Sequence, residues 1–422
     1  MNILRPRERI APDELERAVP WVVRDATLAE VMNTLTSGTL LCAFAVSLGA
    51  SATVVGLIAG IAPLFQVLQL AATGLIERTR RRKAVALAAA ALGRVLWIGV
   101  ALVALLPAGR ARLGLLLAAL GARAAVNAWY ICAQNSWMRD LVPDGAMGDF
   151  YARRMRASYL AGLVTGLAGG FIVDLSTHGR LFGSAQGAYA FLFVAAFVAG
   201  ELALLAMTRV PEPLMPPRHR QPLAGRLMAP VRDANYRRFL GYFALWNLTT
   251  EMAKPLFVIF LLRRLGYPIA WAVLLEAAGK LAHLFTLGTW GRLVDRHSSR
   301  SVVAAAQPLY WVSLLLWPVA GYLGSARPAT LALIAGIYVI NRVAAAGIGI
   351  GNNTLAMQLA PRGGATPYLA VRSLVMNPVT FVAPVAGGAL ADVCARVPFF
   401  APGRNLDLVF LVAAVVGVLS AV

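Results

Sequence analysis

The sequence predicts an all-α membrane protein, with twelve transmembrane helices arranged as two pseudo-symmetric six-helix bundles. Three observations predict it. The chain is apolar, with 59% hydrophobic and 14% charged residues and a mean hydropathy of +0.69. Apolar runs of about 20 residues, the length that crosses a hydrocarbon core, recur from end to end. Polar landmarks of the first half also return in the second half at one constant offset.

That offset is 218 residues. Gly291-Arg292-Leu293-Val294-Asp295-Arg296, with Arg300 four residues on, has a damaged twin in Thr73-Gly74-Leu75-Ile76-Glu77-Arg78, with Arg82 four residues on. Asn135 and Pro143 repeat as Asn353 and Pro361, and Arg154, Gly169, Gly170 and Asp174 as Arg372, Gly387, Gly388 and Asp392. One spacing held by so many polar and helix-breaking residues marks an internal duplication.

The apolar runs place spans near 26–49, 53–76, 84–107, 113–137, 157–176, 188–208, 239–262, 269–292, 301–323, 329–354, 370–391 and 407–422. The last is short and runs to the final residue, as in a chain cut before a cytoplasmic tail. Residues 1–24 form a charged leader without the apolar core of a signal peptide. In it Leu15, Val19, Trp21 and Val22 give one apolar face, which predicts a short interfacial helix with Trp21 near the headgroups. Residues 25–208 make the first bundle and 239–422 the second. Between them 209–238, rich in proline and arginine, reads as a cytoplasmic linker.

A net charge of +20 raises the question of nucleic acid, but its distribution answers otherwise. Lys and Arg concentrate heavily on the side of the N-terminus. With an even number of spans, this puts both termini in the cytoplasm of a cytoplasmic (inner) membrane. The run Arg78, Arg80 to Lys83 reads as a solvated loop over anionic lipid, so the macromolecular partner is the bilayer and not nucleic acid. Three cysteines and four scattered histidines imply neither a disulfide framework nor a metal site. Without a nucleophile elbow or a phosphate-binding glycine loop, no enzyme activity and no cofactor is implied.

The sequence resembles the major facilitator superfamily over nearly its whole length. Gly291, Asp295, Arg296 and Arg300 match that family's signature in the loop between the second and third helix of a bundle. Departures from it are Thr73 for glycine and Glu77 for aspartate in the first copy, and Arg80 and Ser298 at the second glycine. Arg123-Ala124-Ala125-Val126-Asn127 matches only part of the arginine motif of proton-coupled members. Gly162-x3-Gly166-x2-Gly169-Gly170 resembles the glycine motif of drug antiporters without its proline, while the eleventh span has Pro384-x2-Gly387-Gly388. The resemblance implies a secondary transporter working by rocker-switch alternating access, for which a monomer suffices. It also implies gating contacts: the loop acid approaches the start of a helix in the opposite bundle. Glu77 would then meet the region of Arg372, and Asp295 that of Arg154, with Arg78, Arg82, Arg296 and Arg300 completing the two loops. Simple anchoring of the loops at the interface is the other reading.

Within the spans, ionisable residues are the functional candidates, because each costs roughly 2.5–3.5 kcal/mol or more at the centre of an isolated helix. Asn247, Glu251 and Lys254 share one face of the seventh span, and Glu276, Lys280 and His283 repeat that spacing on the eighth. If these consecutive spans pack together, the four charges form one network with the histidine at its edge. Two readings stay open: an ion network joining two helices, or a proton-coupled substrate site in which Glu251 or Glu276 titrates.

The first bundle offers Arg123, Asn127, Tyr130 and Gln134 on its fourth span, and Glu30, Asn33 or Thr34, and Ser37 on its first. Arg342 lies on the tenth span, one residue from the repeat equivalent of Arg123; Ser373, Asn377 and Thr380 line the eleventh. Two arginines from opposite bundles would clamp a carboxylate or phosphate, which points to a small anionic or zwitterionic solute and proton coupling. Internal pairing of Arg123 with Glu30 is the alternative. Arg94 and Glu201 lie on the third and sixth spans and read as structural. Efflux of lipophilic compounds or drugs, and a non-transporting sensor or scaffold, remain the rival functions.

Overall fold

The computed structural model describes residues 6–7, 10–107, 109–141, 147–215, 223–324, 328–361, 365–397 and 404–420. They fold into helices: α1 Pro12–Thr36, α2 Gly38–Ser47, α3 Ala52–Phe65, α4 Gln69–Thr79, α5 Arg82–Leu105, α6 Arg110–Leu141, α7 Met147–Thr177, α8 Ala185–Thr208, α9 Leu223–Arg232, α10 Ala234–Ile259, α11 Ile269–Arg296, α12 Ser299–Leu323, α13 Pro328–Leu359, α14 Ala365–Cys394 and α15 Asn405–Ser420. Among the described residues, eleven helical stretches are long and apolar enough to cross a membrane. The sixteen residues of α15 make a shorter twelfth. Large apolar side chains stand exposed along these helices, as Leu105, Leu160, Val164, Phe171 and Phe285 do. Hydrocarbon, not water, is the medium that tolerates such surfaces.

Local chemistry sets the helix ends. Asp233 caps α10 by accepting from the amides of Asn235 and Tyr236, and Ser298 caps α12 by accepting from that of Ser301. Gly38, at φ +57°, breaks the first span into α1 and α2, a conformation glycine adopts without strain. Arg80, which stands where the signature expects glycine, ends α4 in the left-handed region at φ 51°.

The chain forms two compact units, Met1–Gly49 with Ile61–His219, and Ala50–Gly60 with Arg220–Val422. In the first, α1 packs on α7 and α8, α5 on α6 and α8, and α4 on α6. In the second, α10 packs on α14 and α15, α12 on α13 and α15, and α11 on α13. These are the same pairings between helices related by the offset, so the duplication read in the sequence is a duplication of packing.

The leader departs from expectation. Its helix is not a separate interfacial segment: α1 runs without a break from Pro12 into the first span. Its apolar face is covered by protein, since Val22 is buried in a cluster with Ile76, Trp137 and Met207, with Leu15, Val19 and Trp21 packed against it. The guanidinium groups of Arg24 and Arg209 both lie over the Trp21 ring, at 4.5 and 4.2 Å.

In the second unit, Ala50–Gly60 is held by α14. The Asp392 carboxylate accepts from the amides of Ala52 (3.0 Å) and Thr53 (2.9 Å) and from the Thr53 hydroxyl (2.6 Å). It thus caps the α3 N-terminus from another helix, where unpaired amides and the helix dipole favour an anion. Below the cap the backbones nearly touch. A Cβ on Gly388 would collide with the Ala52 carbonyl, one on Gly56 with the Pro384 carbonyl, and one on Gly60 would lie 2.7 Å from the Phe381 carbonyl. Rigid backbone on both sides cannot yield cheaply. Gly388→Val is expected to destabilise the protein by about 1–3 kcal/mol, lowering its unfolding temperature in detergent. Gly241→Ala, where a Cβ meets nothing within 4 Å, should leave it within error of the native protein.

Candidate functional site

Each unit encloses a cavity of about 260 Å³ between corresponding helices. In the first unit it lies among α1, α5, α6 and α7. Glu30, Asn33, Arg123, Asn127, Tyr130 and Gln134 all line it, so the polar faces expected on the first and fourth spans do converge. Arg154, expected at a gate, and Arg94, expected to be structural, line the same space. Arg123 stacks its guanidinium over the Trp97 ring at 4.4 Å. Arg94 is 4% exposed, its Nη1 without a hydrogen-bond partner among the described residues. This cavity is dominated by cations.

In the second unit Asn247, Glu251, Lys254 and Arg342 line the cavity, with Asn341, Asn352 and Asn353 from α13. Lys254 pairs with Glu251 one turn away. Six aromatic residues share the wall, Phe243, Trp246, Phe257, Tyr310, Trp317 and Tyr338, along with small and aliphatic ones such as Ala345 and Ile348. Periodicity alone did not distinguish those rings from core residues, and several are packed on one another, as Phe257 is on Trp317 at 4.8 Å.

The expected joint network of the seventh and eighth spans does not form. α10 packs on α14 and α15, whereas α11 packs on α13, so the two charged faces do not meet as one cluster. Glu276 pairs with Lys280 along α11 at 3.0 Å. His283 Nδ1 lies 3.1 Å from the Arg342 carbonyl. Neither Glu276, Lys280 nor His283 lines the cavity. Asn377 lies outside the cavity too, its carbonyl accepting from the Thr380 hydroxyl.

The loop residues fall into distinct places. Glu77 and Arg78 are exposed at the end of α4, Asp295 and Arg296 at the end of α11, and Arg300 at the start of α12. Gly291 has open space where a Cβ would stand. Arg372 donates to Asn353 at 3.1 Å and lies over the Phe243 ring.

Arg82 and Lys83 overturn the picture of a solvated loop, being 0% and 3% exposed. Arg82 donates to the carbonyls of Ser136 (3.0 Å) and Pro213 (2.6 Å) and pairs with Asp140. Lys83 donates to the carbonyls of Thr208 and Val210, the free carbonyls beyond the end of α8. Its amide donates to Glu212. The leader joins this knot, because the Arg7 amide donates to the Glu212 carbonyl and the Leu214 amide to that of Arg7. A run of five cations signals repulsion in a sequence; what neutralises it is a set of carbonyls and acids far along the chain.

Burial raises the Glu212 carboxyl above its ordinary range, against the lowering effect of bonds from Lys83 and Arg82. The neutral form is therefore the one favoured by folding. Its contribution to stability is full below the unfolded value of about 4.3 and declines as pH rises to the raised folded value. Glu212→Gln is neutral throughout, so its stability relative to the native protein should improve as pH climbs through that window. A difference in unfolding temperature that stays constant with pH would refute this.

No family model matches the sequence, and no curated protein matches it either. Solved structures match the fold closely. The nucleoside transporter NupG superposes with a TM-score of 0.72 at 12% identity, over 96% of this chain and 97% of that one. A bacterial homologue of the human lysosomal transporter Spinster, inward-facing and unoccupied, gives 0.68 at 14% identity over 98% and 96%. A POT family transporter in complex with a thioalcohol-conjugated peptide gives 0.67 at 14% over 96% and 95%. The chain shares the fold of these transporters, that of a multi-pass, all-helical membrane protein built from a repeated helical bundle.

Proposed function

We propose that the protein is a proton-coupled secondary transporter that carries a small anionic or zwitterionic solute across the cytoplasmic membrane by alternating access. One observation carries the reading: each unit keeps a charged cavity on corresponding helices inside an otherwise apolar bundle. Charges at that depth are costly and are retained where a solute or an ion uses them. Arginine supplies the planar donors that suit carboxylate or phosphate, and Arg123 and Arg342 would be the clamp. Glu251, held by Lys254 within the second cavity, is the candidate proton carrier on α10. Glu276, paired with Lys280, does not line that cavity.

The fold itself selects no cargo. Its matches include a nucleoside transporter, a metal transporter and a POT family transporter in complex with a thioalcohol-conjugated peptide. A second reading, export of lipophilic compounds, is favoured by the aromatic wall of the second cavity. Thermal stabilisation of the purified protein by organic anions, amino acids, sugars and cationic drugs, at two pH values, separates the two. Stabilisation by an anion class that Arg123→Ala and Arg342→Ala each reduce at least tenfold in apparent affinity is the expected result. Stabilisation by lipophilic cations alone, indifferent to both substitutions, would put export in its place.

Gating at the cytoplasmic side is assigned to Glu77 and Asp295 acting on the starts of α14 and α7, near Arg372 and Arg154. Neutralising Asp295 removes the charge that favours the closed side while keeping its shape. Asp295→Asn should therefore shift the protein toward the cytoplasm-open state, read as faster alkylation of cysteines introduced along that side. An unchanged labelling pattern would leave these acids as loop anchors.

A further inference from the structure

Asp25 has no role in the reading above, yet it is the most anomalous side chain in the first unit. It is 1% exposed, and neither carboxylate oxygen has a hydrogen-bond partner among the described residues. Its neighbour Ala26 lines the cationic cavity, and the Ala26 carbonyl accepts from Ser158 of α7, another lining residue. The charges of Arg94 and Arg154, both in the lining, act on it. Arg94 itself carries the unpartnered Nη1. A buried acid with both oxygens unpartnered and a buried base with one unpartnered nitrogen, beside one cavity, make an arrangement that a ligand or a proton completes.

The charged and titratable groups around this point come from every helix packed there. Glu30 lies on α1 itself, Arg94 on α5, Arg123 and Tyr130 on α6, Arg154 on α7 and Glu201 on α8. Around Asp25 three arginines stand against two other acids, so their charge pulls toward the carboxylate against the cost of its burial, and an ionised Asp25 partly neutralises Arg94 and Arg154. An anion seated on those arginines takes over that neutralisation and adds negative charge beside a carboxylate that has no donors of its own. One of the two negative charges must then be removed, and a proton on Asp25 removes it.

We infer that Asp25 is a proton acceptor linked to anion binding: a carboxylate- or phosphate-bearing ligand on Arg94 and Arg154 binds together with one proton on the Asp25 carboxyl. This rests on the proposed anion cavity and adds its coupling residue. By linkage the effect is reciprocal, so anion affinity rises by up to about tenfold per pH unit of acidification while Asp25 is ionised in the empty cavity. The unpartnered Asp25 carboxyl would give the first unit a proton site separate from Glu251.

The test adds benzoate, and separately inorganic phosphate, to the purified full-length protein in weak buffer. It reads binding by thermal stabilisation, proton uptake by an indicator dye, and the carbonyl stretch of a protonated carboxylic acid by infrared difference spectroscopy. The expected result is uptake of about one proton per anion bound near neutral pH, with a carboxylic-acid band that Asp25→Asn abolishes. Asp25→Asn should still bind the anion, with an affinity that no longer changes with pH, and Asp25→Glu should restore the uptake. Arg94→Gln and Arg154→Gln should each weaken binding severalfold. Binding without proton uptake, or with uptake that survives in Asp25→Asn, overturns the role of Asp25 and leaves the anion cavity standing. If neither anion binds the native protein from acid to neutral pH, the cavity reading fails and the inference falls with it. Should Asp25→Asn not fold, the wild-type carboxylic-acid band still decides: its absence on anion binding overturns the proposal.

Discussion

The cost of placing an ionised group in an apolar helical bundle organises this molecule. Wherever a charge is buried, a specific device offsets that cost. On α10 and α11 the device is local, with Glu251 and Lys254, and Glu276 and Lys280, within one turn of each other. Beneath the loop after α4 it is distant, as Arg82 and Lys83 end on carbonyls at the ends of α6 and α8 and on Glu212. At the start of α3 it is a helix terminus, whose free amides take the Asp392 carboxylate. Beside the first cavity the device runs short for Asp25, neither of whose carboxylate oxygens has a hydrogen-bond partner among the described residues. Groups satisfied internally have nothing left to offer a solute, and that carboxylate does.

The scaffold was legible because hydrocarbon reduces its rules to length and periodicity. Runs of about 20 apolar residues could only be spans, and a constant offset could only be a duplication of packing. The faces holding Glu30, Asn33, Arg123, Asn127 and Tyr130, and Asn247, Glu251 and Lys254, were legible because helical spacing puts them on one side. What failed involved contacts between elements. The pairing of α10 with α14 and α15, instead of α11, is a choice of partner that no helix encodes by itself. Arg82 and Lys83 looked solvated since their acceptors are main-chain carbonyls, which carry no sequence signal. Asp25 carries no such signal, because the apolar window begins at residue 26, whereas the helix begins fourteen residues earlier, with Pro20 tolerated inside it. For Arg94, the usual outer place of a third span is the weaker signal, and an ionisable residue at that depth the stronger one.

The two cavities show how a duplicated scaffold diverges while its geometry is kept. Asn33 and Glu251 are related by the offset and line their respective cavities, as do Gln134 and Asn352, and Arg123 and Asn341. Backbone positions that face the cavity have thus been conserved between the halves of one chain, while the chemistry placed on them has not. The first unit spends those positions on arginines and leaves them short of acids. The second pairs its acid with a lysine and adds six aromatic rings to its wall. Cationic donors in one cavity complement an anionic group, and ring faces in the other complement a flat or apolar one. The asymmetry also explains why the reading as an anion carrier and the reading as a lipophilic exporter each find support: each draws on the chemistry of a different half.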